Sequence, residues 1–161
     1  MTKKEHLTQL FKAHHISLKK IINDITEEES LERGKDNINH IRWQTGHLIG
    51  SAGMRLRSLG REVSVPDNYM KLFKRGDEIA DDPSVYPPLS ELKEKLYSMF
   101  TELNDTIVEF SDDDLDNEIE IVPGYKTTIM GSILFLCNHD FYHAGQIAIL
   151  RKVLGKIRVF G

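Results

Sequence analysis

The sequence predicts an all-α protein, a four-helix bundle built as a single domain over residues 1–161. Three observations predict it. Four segments repeat apolar residues at steps of three and four, the period of an amphipathic helix. Two long connections, after the second and third segments, match bundles whose helices are not joined by tight turns. No run of alternating residues is long enough for a sheet, so strand content should be negligible.

The first helix covers about 2–24, where Leu7, Leu10, Phe11, His14, Leu18, Ile21, Ile22 and Ile25 form one row. "EEESLERG" then reads as a short turn or a single helical turn. The second helix runs about 36–59, with Asp36 as its N-cap and Gly60 as its stop. Its inward row reads Asn39 or His40, Trp43, Gly46 or His47, Gly50 and Met54. Gly46, Gly50 and Gly53 are poor helix formers, but they permit close approach by a neighbour or a ligand.

Residues 61–88 form a long connection holding four of the five prolines. Loops of this length commonly carry function, and "DNYMKLFKRG" within it suits a short helix. The third helix is about 89–110, capped by Ser90, with a stripe of Leu92, Leu96, Met99, Phe100, Leu103, Ile107 and Phe110. In the connection 111–126, "NEIEIVPGY" contains a short extended piece that Pro123 and Gly124 should end. The fourth helix is about 127–154, capped by Thr127 or Thr128 and stopped by Gly155.

Charge and composition exclude several functions. The net charge is −4, and acids and bases are interspersed, so no basic stripe exists to neutralise nucleic-acid phosphates. No stretch reads as a membrane span or a signal peptide. The one cysteine, Cys137, cannot form an internal bridge, which points to a reducing, cytoplasmic setting. About 160° of helix rotation separates Cys137 from His139, so the thiol should serve as a small buried hydrophobe.

"LCNHDFYHAGQ" (136–146) carries His139 and His143 four residues apart. On a helix this places both rings on one face, about 6 Å apart in rise, where they can share one ion. The same face carries Ser132, Leu136, Gln146 and Leu150, so the rings turn inward, and a buried imidazole requires a partner. A third ligand must come from another helix. His40 lies about 10 Å too far along the second helix. His14 and His15 on the first helix are geometrically possible. His47, at mid-depth among small residues, is favoured.

Three neutral imidazoles suit a divalent transition metal such as zinc, nickel or iron, and not calcium or magnesium. Three protein ligands leave a position open, the pattern of catalytic sites. "HDFYH" imitates the zincin pattern, but with Asp140 in place of Glu and no sheet-lined cleft. A di-iron bundle needs carboxylates from several helices and two E-x-x-H pairs, of which only "DFYH" approximates one here. Trp43, one turn before His47, reads as core packing, Asp140 and Tyr142 as bundle-edge residues, and Gln146 as a hydrogen-bonded core polar.

Together "NHIRWQTGHLIGS" (39–51), "YMKLFKRGDEI…YPPLSEL" (69–92) and "HDFYHAGQIAILRKVLG" (139–155) resemble the DinB-like superfamily of four-helix bundles. The resemblance implies a divalent metal on His47, His139 and His143. It also implies a homodimer and a small-molecule substrate. Some members join a low-molecular-weight thiol, such as bacillithiol or mycothiol, to an electrophile, and others resemble isomerases. Three functions therefore compete. A metal-dependent S-transferase or hydrolase needs an open coordination position. A non-catalytic metal-binding stress protein needs a fourth protein ligand or a sealed site. A bundle serving only as an interaction module needs the three histidines to lie apart.

Overall fold

The computed structural model describes residues 1–34, 38–63, 65–76, 79–80 and 82–159. Helices α1 (Lys3–Asn23), α2 (Ile41–Ser58), α4 (Leu89–Glu109) and α5 (Ile129–Val153) form the bundle, and α3 (Asp67–Leu72) is a short helix in the 61–88 connection. α1 packs on α4 and α5, and α2 packs on the same two. The two helices nearest in sequence are thus diagonal to each other, and α5 touches both. That arrangement puts α2 beside α5, where a shared site can form.

Each helix begins where its free N–H groups find an acceptor. Thr2 and Glu5 make a reciprocal capping box at α1, a T-x-x-E signal present in the sequence that the periodicity reading passed over. Thr128 caps α5 by accepting from Gly131 N–H, as expected. The other two starts differ from expectation. α2 begins at Ile41, not near 36, because His40 is extended and its Nδ1 accepts from Trp43 N–H at 2.9 Å. The expected cap, Asp36, lies outside the described residues. Ser90 does not cap α4. The Glu27 carboxylate, 62 positions before Leu89, accepts from Leu89 N–H at 2.7 Å and Ser90 N–H at 2.9 Å. Glu27 also holds Arg42 at 2.7 Å, which joins α2 and α4 to the turn after α1. At the C-termini, Gly60 and Gly155 adopt φ of 81° and 70°, the left-handed conformation that stops α2 and α5.

The apolar rows of α1 and α4 are buried as read, except that Leu10 is exposed and Phe110, just past the end of α4, is half-buried. The inward row of α2 was right in part, since His40, Trp43 and Gly46 are buried, but the core runs along another face as well. Its core face is Ile41, Thr45, Leu48, Ile49, Ala52 and Leu56, while Gly50 and Met54 are half-buried. The reason is that α2 is covered on a second side. Val65, Tyr69, Phe73 and Tyr86 of the 61–88 connection are buried against it. Val65 reaches the helix backbone at Gly53, where an added Cβ would stand 2.5 Å from its Cγ2.

Strand content is small but organised. β1 (Glu118–Val122) and β2 (Tyr125–Thr128) pair antiparallel, Glu118 opposite Thr128. Pro123 and Gly124 do not merely end a strand. Gly124, at φ 83°, reverses the chain into a hairpin that leads into the cap of α5. Among the described residues, no helix is long and apolar enough to cross a membrane.

Candidate metal centre

His47 on α2 and His139 and His143 on α5 converge on one point. The Nε2 atoms of His47 and His139 are 3.1 Å apart, those of His143 and His139 are 3.2 Å apart, and one ligand atom from each ring lies within 4.8 Å of the others. Three nitrogens at about 2.0–2.1 Å from a tetrahedral ion would stand about 3.3–3.4 Å apart. The observed cluster is within a few tenths of that size along its two measured edges.

The outer nitrogen of each ring is engaged, in each case by an oxygen. His47 Nδ1–H donates to the Phe73 carbonyl at 2.9 Å. His139 Nδ1–H donates to the Asp140 carboxylate at 2.9 Å. His143 Nδ1–H donates to the Gln44 side-chain oxygen. The Gln44 amide is itself oriented, because its Nε2 faces the Asn39 carbonyl at 3.2 Å and the Gln146 side-chain oxygen. A backbone carbonyl and a carboxylate only accept, so the proton sits on Nδ1 and the Nε2 lone pair is free. Three such lone pairs facing each other repel unless a cation lies among them. This donor set fits a divalent transition metal.

Burial reinforces that state. It pushes the His143 imidazole down to about 3, with His139 and His47 adding to the shift. It also lowers His47, against the opposing pull of the Phe73 carbonyl. Both rings are therefore neutral and able to ligate at physiological pH. His143 is 6% exposed, whereas His47 is half-buried and the His139 side chain is 22% exposed, so the cluster meets solvent on the side of His47 and His139.

Gly46 and the connection build the α2 half of the site. A Cβ at Gly46 would stand 2.3 Å from Phe73 Cζ, so only glycine admits that ring against the helix. With the ring seated there, the Phe73 carbonyl reaches His47. The small residue thus serves a protein neighbour and not a ligand. Trp43 is buried and stacks on His47, with ring centroids 4.9 Å apart at 9°.

The remaining candidates separate clearly. His40 caps α2 and stands edge-on to Tyr86. His14 is fully buried but contributes no atom to the cluster, nor does His15. Burial pushes the Cys137 thiol up to about 12, with Asp140 adding to it, as suits an inert core residue. Gln146 is hydrogen-bonded, as read, and Tyr142 is exposed at the edge. Asp140 was misplaced by the sequence reading. It is not at the bundle edge but 0% exposed, with Oδ2 3.1 Å from His14 Nε2 in a close, poorly aligned pair. Gln44 was missed altogether. Its signal was available, since it lies one turn before His47 on α2.

A search of curated proteins finds no match. Solved structures do match in fold. A DinB-like protein from Bacillus cereus is 16% identical at a TM-score of 0.75, over 98% of this chain and 95% of that one. A conserved protein from Enterococcus faecalis is 13% identical at 0.71, over 97% and 99%. YfiT from Bacillus subtilis, described as a probable metal-dependent hydrolase with an unusual four-helix bundle topology, is 17% identical at 0.69, over 96% and 89%. At these identities the likeness is one of fold. Sequence carries the family assignment, because residues 10–147 match the DinB superfamily. The chain belongs to the DinB superfamily.

Proposed function

We propose that this protein is a divalent-metal-dependent enzyme acting on a small molecule, with His47, His139 and His143 as its three protein ligands. One observation carries the reading: three Nε2 atoms face one point while every Nδ1 is held by an oxygen outside the cluster. No fourth His, Cys, Asp or Glu joins the group among the described residues. A divalent cation there would polarise a bound oxygen or sulfur and bring the pKa of a coordinated water or thiol toward neutral.

The chain's own residues supply the rest. Phe73, Asp140 and Gln44 hold the three tautomers. Trp43 covers one face of the His47 ring with an apolar ring. The partly exposed His139 marks the side from which substrate approaches. The nucleophile is water in a hydrolase or a low-molecular-weight thiol in an S-transferase. The description of the Bacillus subtilis structure supports the first, and the resemblance of the "HDFYHAGQ" segment supports the second. Zinc, nickel and iron all suit three imidazoles.

The non-catalytic alternative needs a sealed site or a further protein ligand, and the exposure of His139 counts against it. The buried, unpaired Cys137 supports a cytoplasmic setting. We also infer a homodimer through the outer face of α5, where Phe135, Tyr142 and Ile149 recur every seven residues and are 54%, 65% and 50% exposed. Light scattering on an Ile149→Glu variant tests it, and an unchanged mass would reject it.

The function is tested by metal analysis of protein purified without a histidine tag, beside a His143→Ala variant. One equivalent of metal in the first and little in the second is expected. Equal content in both would remove the site. Conjugation of thiols to a bimane electrophile, and a panel of esters and amides, then separate the two nucleophiles. Turnover of neither class by loaded protein would favour the passive binder.

A further inference from the structure

We propose that Asp140, lying between His139 and His14, is a positioning residue that makes His139 the strongest donor of the cluster and sets its metal affinity. This rests on the metal site proposed above. The three rings have unequal outer partners. His47 faces a backbone carbonyl and His143 a side-chain amide, both neutral. Only His139 faces a carboxylate. A carboxylate draws harder on Nδ1–H than a neutral oxygen does, which raises electron density at Nε2.

The burial of Asp140 argues for a role beyond packing. It is 0% exposed, in a core where an apolar side chain would pack at lower cost. Basic side chains from two other helices also stand near it. His14 of α1, itself 0% exposed, brings Nε2 to 3.1 Å from Asp140 Oδ2. That ring is held among Phe11, Phe100 and Phe141, with centroids 5.5, 5.4 and 5.3 Å away. Arg55 of α2, 4% exposed, lies within electrostatic reach of the same carboxylate. His14 Nε2 stands beside Oδ2 out of hydrogen-bond alignment, while Oδ1 accepts from His139 Nδ1–H. The line His14–Asp140–His139 therefore runs from α1 across the bundle into the cluster. His14, a possible ligand by sequence, acts instead as the outer end of this line.

The test measures zinc affinity by chelator competition and the electronic spectrum of the cobalt(II) form, with wild type beside Asp140→Asn. Asparagine keeps the shape and an acceptor oxygen but removes the charge. The expected result is an affinity about 10–100-fold weaker and a shifted cobalt spectrum. A folded Asp140→Asn with wild-type affinity and spectrum would overturn the proposal while leaving the metal site intact. A wild-type protein that binds no zinc would overturn both. Should the variant fail to fold, two other measurements decide. The first is ring proton NMR of zinc-loaded wild type, where His139 Nδ1–H must lie downfield of the other two ligand rings. The second is the pair His14→Gln, which keeps a polar N–H group beside Asp140, and His14→Leu, which does not. Equal ring shifts, or equal zinc affinity in the pair, would sink the idea.

Discussion

Gly46→Ala connects the packing of the connection to the chemistry of the site. An alanine Cβ at 46 would meet Phe73 Cζ, Cε1 and Cε2 at 2.3, 2.4 and 2.4 Å. Ordinary contact begins at 3.4 Å, so the ring must withdraw by about 1 Å. Phe73 is 3% exposed and packs edge-on to Tyr69, so it has no free space to enter. Moving its residue by that amount stretches the 2.9 Å bond from His47 Nδ1 to the Phe73 carbonyl beyond hydrogen-bond range. Overpacking of this kind costs about 1–3 kcal/mol. Loss of a ligand's outer hydrogen bond weakens metal binding about 10–100-fold. Gly50→Ala is the matched control, because its Cβ meets only Met70 Sδ at 3.7 Å. It should gain up to about 1 kcal/mol from helix propensity and leave the metal untouched. The assay is urea unfolding of metal-free protein with zinc competition on the same samples. Equal stability and affinity in Gly46→Ala and Gly50→Ala would refute the reasoning.

Acid should destabilise the metal-free protein through buried histidines. Burial, with Arg33 and Arg42, lowers His40 to about 4 from its usual 6.5, so between those values the unfolded chain binds the extra proton. Stability is therefore full above about pH 6.5 and falls as pH drops toward 4, with a slope up to about 1.4 kcal/mol per unit for this group. His40→Asn keeps a capping oxygen but cannot titrate, and an unchanged slope in that variant would reject the assignment. Metal removal should lower the melting temperature, since ligand at 100 times Kd stabilises by about 2.7 kcal/mol; identical melts with and without chelator would contradict this. Glu27→Ala should cost about 1–2 kcal/mol through lost capping of α4, and a loss below about 0.3 kcal/mol in urea unfolding would mean that water replaces the carboxylate.

Much of the candidate site was legible because its spacing is local. His139 and His143 share a helix face by geometry that any helix imposes, and mid-helix depth picked out His47. The stops at Gly60 and Gly155 and the cap at Thr128 were equally local, since a positive φ or a hydroxyl acts on its own turn. Where the reading failed, the deciding partner was distant in sequence. Glu27 replaced Ser90 at the start of α4, and Phe73 filled the space beside Gly46. Asp140 turned inward to meet His14, although nothing in "HDFYH" separates an inward aspartate from one at the bundle edge.

The sequence by itself therefore determined that four helices form, where most of them stop, and which imidazoles can share an ion. Each of these follows from the 3.6-residue period and short-range hydrogen bonding. Tertiary structure alone decided that α1 and α2 lie diagonally, that the connection packs onto α2, and which oxygen holds each ring. Those choices depend on which apolar faces meet and which buried polar groups find partners, and both are settled only when remote segments pack together.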